Sequence, residues 1–542
     1  MKERGGPELA LASSRTGFLM GLGVLTKLAV DVFIIARFGL TGATDAFFVA
    51  YTLLILAESL IYPACQSGLV PIFIGARTRG GSAQMWAIFN SVLTLGSLGA
   101  LFLASGMVLG SPVLTKMLAP GLSPDNGALA ARLAAVVLTG LACVVPIGVM
   151  RAFLNANNLF AAPAMLELIR GSTVIAVVVI SLLVRGAYEI EVVAAGFTLA
   201  AFIQACVLGL VIKLRLGSHY RMAINLALLR SVRVERMLTV PFLDNLVSQS
   251  VLIVERIVGS FLPAGSITAL SYGHRLASVI GNTLFTGVEV VSLSTLAASL
   301  AGRDPGQRRA AHATLMAGVR LVVVLGIPVS LTVWALKLPL IQFIFKGEGG
   351  PINIEAALVL GIYAATIPLY GYLLLARSYM FASRAPHLAL LASGAQLVGM
   401  AVAAPILARH LGAAGVAISY AIGQALACGV GVWILGGVAG PQPVAGVALL
   451  SGKVLVASGV MAGTMVVCHE LIAGWLPSTG VTSGLAQFSA LSGAGMAGGA
   501  CLLGVMIALR VEEMLALSKT IGRLPRRWQM TRQRHNGFEQ EL

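Results

Sequence analysis

About fourteen runs of roughly 20 apolar residues leave this chain few ways to fold, because a run of that length is what a helix needs to cross a bilayer. They centre near residues 27, 59, 97, 142, 173, 202, 250, 284, 324, 366, 397, 424, 459 and 498. Inside hydrocarbon every backbone N–H and C=O must find a partner within the protein, so only helices and closed barrels can span it. The runs are continuous rather than alternating, which excludes a barrel. With 58% hydrophobic and 11% charged residues over 542 positions, a soluble globular protein is excluded as well. The expected fold is an all-α polytopic membrane protein of about fourteen transmembrane helices.

The runs fall into two copies. Arg151-Ala-Phe-Leu-Asn-Ala156, followed by Ala162-Pro163, returns about 225 residues later as Arg377-Ser-Tyr-Met-Phe-Ala382, followed by Ala385-Pro386. Asp31-Val-Phe-Ile-Ile-Ala and Asp45-Ala-Phe-Phe correspond, with one gap, to Glu255-Arg-Ile-Val-Gly-Ser and Thr268-Ala-Leu-Ser. Each copy holds about six spans, and an even number returns the chain to its starting side, so the copies are parallel. The expected organisation is a lead over 1–14, helices 1–6 over 15–213, a basic linker over 214–237 and helices 7–12 over 238–437. An extra C-terminal helix pair follows over 438–510, then a basic tail over 511–542. Leu226, Leu228 and Leu229 among the linker arginines read as a short interfacial helix on anionic headgroups. Parallel repeats are a transporter architecture, with the substrate path expected where the halves meet.

The net charge of +16 reflects topology rather than nucleic acid. With a cytoplasmic N-terminus, most Lys and Arg residues fall in cytoplasmic segments, notably 213–236 and 510–534. Lys116, Arg185, Lys337, Lys346 and Arg409 fall on the opposite side. That is the positive-inside pattern, and it places both termini in the cytoplasm. The six cysteines are scattered through apolar runs and read as packing residues, with neither a disulfide framework nor a metal site. The first run carries Lys27 and Asp31 and lacks a cleavage site, so it is expected to remain as helix 1. Gly493-Ala-Gly-Met-Ala-Gly498 has dinucleotide-site spacing but lies within an expected helix with no strand before it. No catalytic motif is found, so there are no catalytic residues, and no cofactor is expected. Without a nucleotide-binding domain, transport has to draw on an ion gradient, the membrane potential or substrate supply.

Charges inside apolar runs cost about 2.5–3.5 kcal/mol each near the bilayer centre and need a reason. Lys27 and Asp31, four apart on helix 1, read as an internal ion pair, as the lining of a polar cavity, or as both. In helix 7, Asp244 and Asn245 precede Ser248 and Gln249, and Asp244 is the candidate for a coupling cation or proton, the ion itself being unknown. Glu255 and Arg256 read as interfacial or cavity residues, and as helix neighbours they are expected to need separate partners. Arg275 offers a fork suited to phosphate. Glu289 is deep and expected to be paired or protonated, and Glu58 is a further cavity candidate. Arg151, Arg170, Arg320 and Arg377 sit near expected cytoplasmic helix ends, where snorkelling or C-terminal capping is expected.

Thr44-Asp45-Ala-Phe-Phe-Val-Ala50, the stretch from Ser248-Gln249 through Leu276, Pro339-Leu-Ile-Gln-Phe-Ile-Phe345 and the Arg377 segment resemble the MurJ/MviN family. These are the lipid II flippases of the multidrug/oligosaccharidyl-lipid/polysaccharide exporter superfamily. The resemblance covers about residues 15–437, and helices 13 and 14 match in number and position. It implies two six-helix lobes with an extra pair and a cationic central cavity. It further implies movement of an undecaprenyl-pyrophosphate-linked glycan across the bacterial inner membrane by alternating access. By position, Asp31, Asp45, Arg256 and Arg275 match the family's charged sites. The departures are Val30 and the region around Val24 in place of arginines, with Lys27 nearby to substitute, and Ser278 in place of an acid. The basic pair and acid expected in helix 2 are missing, leaving Glu58 nearby but out of register.

The expected function is therefore a flippase, with Lys27, Arg256 and Arg275 capturing the pyrophosphate and Asp31 and Asp45 completing the cavity. Lipid II is the family default. An exopolysaccharide or O-antigen unit, a cation-coupled small-molecule exporter and a membrane scaffold recruiting glycan-synthesis or cell-wall machinery are the alternatives.

Overall fold

The computed structural model describes residues 19, 21–27, 29–31, 33–34, 37–186, 189–217, 219–231, 234–300, 305–345, 351–383, 385, 387–439, 444–475 and 483–511. The expected lead over 1–14 and the tail beyond residue 511 lie outside them, as does Pro386.

The described chain is a succession of helices. Helical residues within 19–38 form α1. Then come α2 (Gly42–Leu109), α3 (Ser111–Leu118), α4 (Pro124–Thr139), α5 (Leu141–Ala156), α6 (Ala161–Ala164), α7 (Leu166–Arg185) and α8 (Ile190–Leu216). The linker holds α9 (Leu226–Ser231), and then follow α10 (Val234–Gly259), α11 (Ser266–Leu300), α12 (Pro305–Ala335), α13 (Lys337–Phe345), α14 (Pro351–Ala365), α15 (Ile367–Ala382) and α16 (His387–Ala439). The extra pair is α17 (Val444–Trp475) and α18 (Ser483–Ala508).

Among the described residues nine helices are long and apolar enough to cross a membrane. Two of them are double-length. The 68-residue α2 turns at Gly80 and Gly81, and α16 turns at Gly412. Gly81 and Gly412 have φ of +70° and +58°, a left-handed backbone that a side chain resists, so glycine is what lets two spans join without a loop. Counting the halves separately, and α4–α5 and α14–α15 as one span each, every apolar run of the sequence has its helix. α10 and α11 are also long, but their apolar character is interrupted by Asp244, Glu255 and Arg256 in one and Arg275 and Glu289 in the other.

Large apolar side chains face outward as well as inward: Phe102 is 85% exposed, Leu183 81% and Trp433 75%. In water this would be a cost; against lipid tails it is neutral, as expected of a multi-pass membrane protein.

The chain divides into two compact units. The first comprises Met1–Tyr272, Ile344–Ala356 and Leu390–Gly423, and the second Gly273–Phe343, Ala357–Ala389 and Gln424–Leu542. These units and the sequence repeat are different divisions, since α10 belongs to the second copy yet packs on α2 in the first unit.

In the first unit α2 lies against α4 and α5. Phe47, Tyr51 and Phe197 form one aromatic cluster, and Phe73, Phe89, Phe153 and Trp86 a second. Edge and offset ring packing of this kind fixes helix register where hydrophobic burial gives little direction.

The short helix expected around Leu226, Leu228 and Leu229 is α9. Residues 219–225 before it have no regular structure and hydrogen-bond to α2, with Asn90 Nδ2 donating to the His219 carbonyl at 3.2 Å and the Asn225 N–H to Ser91 Oγ at 3.2 Å. In the second unit α12 packs on α15 and α17, and α17 on α18. The glycine-rich segment Gly493–Gly498 is continuous helix within α18, where Gly498 makes room for Met465 of α17. It is a packing surface, not a dinucleotide turn.

Candidate functional site

Asp45 lies in the first turn of α2, whose own N-terminus is capped by Thr41 and Thr44 in a reciprocal box. Its carboxylate is therefore free to serve another helix, and it serves α11. Oδ2 accepts the Gly265 N–H at 2.6 Å, while Oδ1 accepts the Thr268 N–H at 2.8 Å and the Thr268 hydroxyl at 2.6 Å. A helix N-terminus presents unsatisfied N–H groups and partial positive charge, which suits a carboxylate. Gly265 has φ of +95°, and a Cβ there would stand 2.7 Å from the Leu40 carbonyl oxygen, so only glycine lets the chains approach. Asp45 and Thr268 are the repeat-related residues of the sequence, and they touch each other. Expected as a cavity residue, Asp45 is 2% exposed with both oxygens occupied. It holds two helix ends together rather than presenting charge.

Asp31 on α1 is also buried, and its main-chain carbonyl accepts the Tyr272 hydroxyl at 3.2 Å. Lys27 is half-buried and within electrostatic range of Glu58. Glu58 accepts two hydrogen bonds from Arg170, NH2 to Oε1 at 2.6 Å and NH1 to Oε2 at 3.0 Å. Glu167 lies 3.7 Å from the same guanidinium, and the Tyr62 hydroxyl donates to Glu58 at 3.4 Å. Arg151 sits over the Tyr62 ring, 4.7 Å from its centroid. Two expectations change here. Glu58, a cavity candidate, is 9% exposed and committed to Arg170. Arg170, expected to snorkel or cap a C-terminus, stands in the first turn or so of α7 and is buried. The sequence held the signal, an arginine and two glutamates within apolar helices, but not the helix crossing that pairs them.

Glu255 and Arg256 also depart from expectation. Neighbours on a helix point in different directions, yet the Arg256 side chain is long enough to fold back, and its NH1 donates to Glu255 Oε1 at 3.0 Å. Its Nε donates to Thr52 Oγ1 of α2 at 2.9 Å. Glu255 is fully buried and Arg256 4% exposed, and the two pair with each other, with Thr52 a further partner of Arg256. Burial forces this choice, because an ion left unpaired away from water is far more costly than a folded-back side chain.

Asp244 is buried against α16, accepting from Ser393 Oγ at 3.2 Å, and Ser248 donates to that same Ser393 oxygen at 3.2 Å. Among the described residues no group of three or more His, Cys, Asp or Glu is arranged to hold a metal ion.

In the second unit Arg275 is half-buried on α11. Farther along the same helix the Asn282 side-chain oxygen accepts the Tyr370 hydroxyl of α15. Glu289 is half-buried within electrostatic range of Arg377 on α15. None of Asn282, Tyr370 and Arg377 was expected at a site.

A family model described as "Lipid II flippase MurJ" matches residues 34–484. Among solved structures, a lipid II flippase MurJ in an inward closed conformation is similar at a TM-score of 0.74 and 20% identity. That likeness covers 92% of this chain and 99% of the other. An inward-facing multidrug resistance MATE transporter of the MOP superfamily is similar at 0.65 and 13% identity, covering 79% and 96%. A MOP superfamily transporter from Pyrococcus furiosus, whose binding pocket is described as reversed in polarity, is similar at 0.56 and 15% identity, covering 81% and 96%. At these identities the structures speak for the fold.

Proposed function

The chain belongs to the lipid II flippase MurJ family, a family of transporters rather than enzymes, and from that premise we propose that its own substrate is lipid II, the undecaprenyl-pyrophosphate-linked peptidoglycan precursor. The observation that carries the reading is the family match over residues 34–484, which takes in the charged helices α2, α7, α10 and α11. The protein works in the bacterial inner membrane with both termini in the cytoplasm, on the strength of its positive-inside charge pattern.

Lys27 and Arg275, each half-buried, and Arg256 are the cations that bind the pyrophosphate. A guanidinium offers a fork of donors to phosphate oxygens, and a low-dielectric surrounding strengthens each such bond. Arg256 joins only by exchanging Glu255 or Thr52 for substrate, which couples binding to a rearrangement at α2 and α10. The polyprenyl tail stays in lipid while alternating access carries the headgroup across. Asp244, with its serine neighbours, is where a coupling cation or proton binds.

The test is complementation in a bacterium whose own lipid II flippase can be shut off. Rescue by the wild type, lost on combined Lys27→Gln and Arg275→Gln in a protein that still reaches the membrane, supports the reading. A well-inserted wild type that does not rescue overturns lipid II and points to another polyprenyl-linked glycan.

A further inference from the structure

The helix α11 carries a line of polar groups that the proposed cation set uses only at Arg275. At 100° per residue, Arg275, Asn282 and Glu289 fall on one face of the helix together with Ser278. From Arg275 to Glu289 this face runs about 21 Å at 1.5 Å per residue, a large part of the hydrocarbon thickness. The neighbouring α15 repeats the spacing. Tyr370 hydrogen-bonds to Asn282, and Arg377, seven residues further on, lies within electrostatic range of Glu289, seven residues beyond Asn282. Tyr370 also lies in electrostatic range of both Glu289 and Arg377. All these residues belong to the second compact unit. A polar face sustained over four helical turns within a membrane-spanning helix is costly, and such faces line polar routes.

We infer that Arg377 is a second phosphate-binding residue, at the other end of the α11 polar face from Arg275, with Glu289 holding its guanidinium until the pyrophosphate replaces that carboxylate. The inference rests on the pyrophosphate reading above. On the proposed topology Arg377 stands toward the cytoplasmic end of α15, so it meets the headgroup first. Tyr370 and Asn282 then offer hydroxyl and amide partners between the two arginines. Glu289 has two effects. It keeps a half-buried guanidinium oriented, and it competes with phosphate for the same donors, so removing its charge exposes the competition.

The experiment measures binding of geranylgeranyl pyrophosphate to the purified full-length chain in detergent, with geranylgeraniol as the tail-only control. Thermal unfolding is recorded for each variant. Arg377→Gln is expected to weaken pyrophosphate binding about tenfold or more, the effect of losing one charge-assisted hydrogen-bonded contact, with Arg377→Lys retaining part of it. Glu289→Gln is expected to tighten binding by about threefold to tenfold. If Arg377→Gln does not fold, the Lys and Glu289→Gln variants carry the test. An ion pair that serves only the fold would make Glu289→Gln and Arg377→Gln lower the unfolding temperature together and weaken binding together, which overturns the inference. Unchanged affinity in both variants, with binding still lost in Arg275→Gln, also overturns it and leaves the proposed function standing. Equal binding of the alcohol and the pyrophosphate by the wild type overturns both.

Discussion

In the first compact unit the Glu58 carboxylate takes two hydrogen bonds from Arg170, the Glu255 carboxylate takes one from Arg256, and Asp45 takes three from the start of α11. In the second, Arg275, Glu289 and Arg377 are each half-buried along neighbouring helices. The first set is closed on itself at short range and nearly inaccessible. The second keeps some of its surface. Charges of the first kind hold helices in register, because in a membrane the helices have no difference in hydrophobicity to drive them together. Charges of the second kind are only half-buried, which is what an anionic headgroup needs to approach them.

The contrast can be broken at its strongest point first. Arg170→Ala should destabilise the protein by about 3–5 kcal/mol, because it strands Glu58 without its counter-charge. Combined Glu58→Leu and Arg170→Met should recover most of that loss. Thermal unfolding of the purified chain measures both, and a full loss persisting in the double variant would mean the pair is not what the site requires.

Asp45→Ala should cost about 2–4 kcal/mol through the three lost charge-assisted bonds and the uncapped start of α11, again read from unfolding. Loss of transport with unchanged stability would instead move Asp45 into the substrate-binding group. Arg275→Gln should do the opposite of Arg170→Ala. Flipping of a labelled lipid-linked substrate in proteoliposomes should fall about tenfold or more, with unfolding changed by less than about 1 kcal/mol. The smallest effect is expected at the turn in α2: Gly81→Ala should cost about 1–2 kcal/mol, from forcing a side chain into left-handed backbone. Unfolding that does not move would show the turn relaxing to another conformation.

Much of the fold was legible because length and hydropathy are local properties. Each apolar run became a helix, and the two double-length helices turn at glycines that the sequence displays. The Asp45 and Thr268 segments were recognisable as copies of each other, although nothing in the pattern said that the copies would touch. Glu58 was visible as a charge in an apolar helix, and Arg170 as one near a helix end, while Glu167 was not singled out.

The pairing of Glu58 with Arg170 was not visible, because residues 112 apart in the chain meet only through the way α2 and α7 are packed. The same holds for Arg256, whose adjacent glutamate looked unreachable from helix geometry alone yet accepts from its NH1, while Thr52 of α2 accepts from its Nε.

What the sequence by itself determined was the class of protein: a multi-pass chain of apolar helices long enough to span a membrane. That depends on the transfer of each segment between water and lipid, which is nearly additive along a chain. Only the tertiary structure decided which charges neutralise each other and which keep exposed surface. That choice depends on desolvation and a few ångströms of separation between helices distant in sequence, and neither is encoded in any one segment.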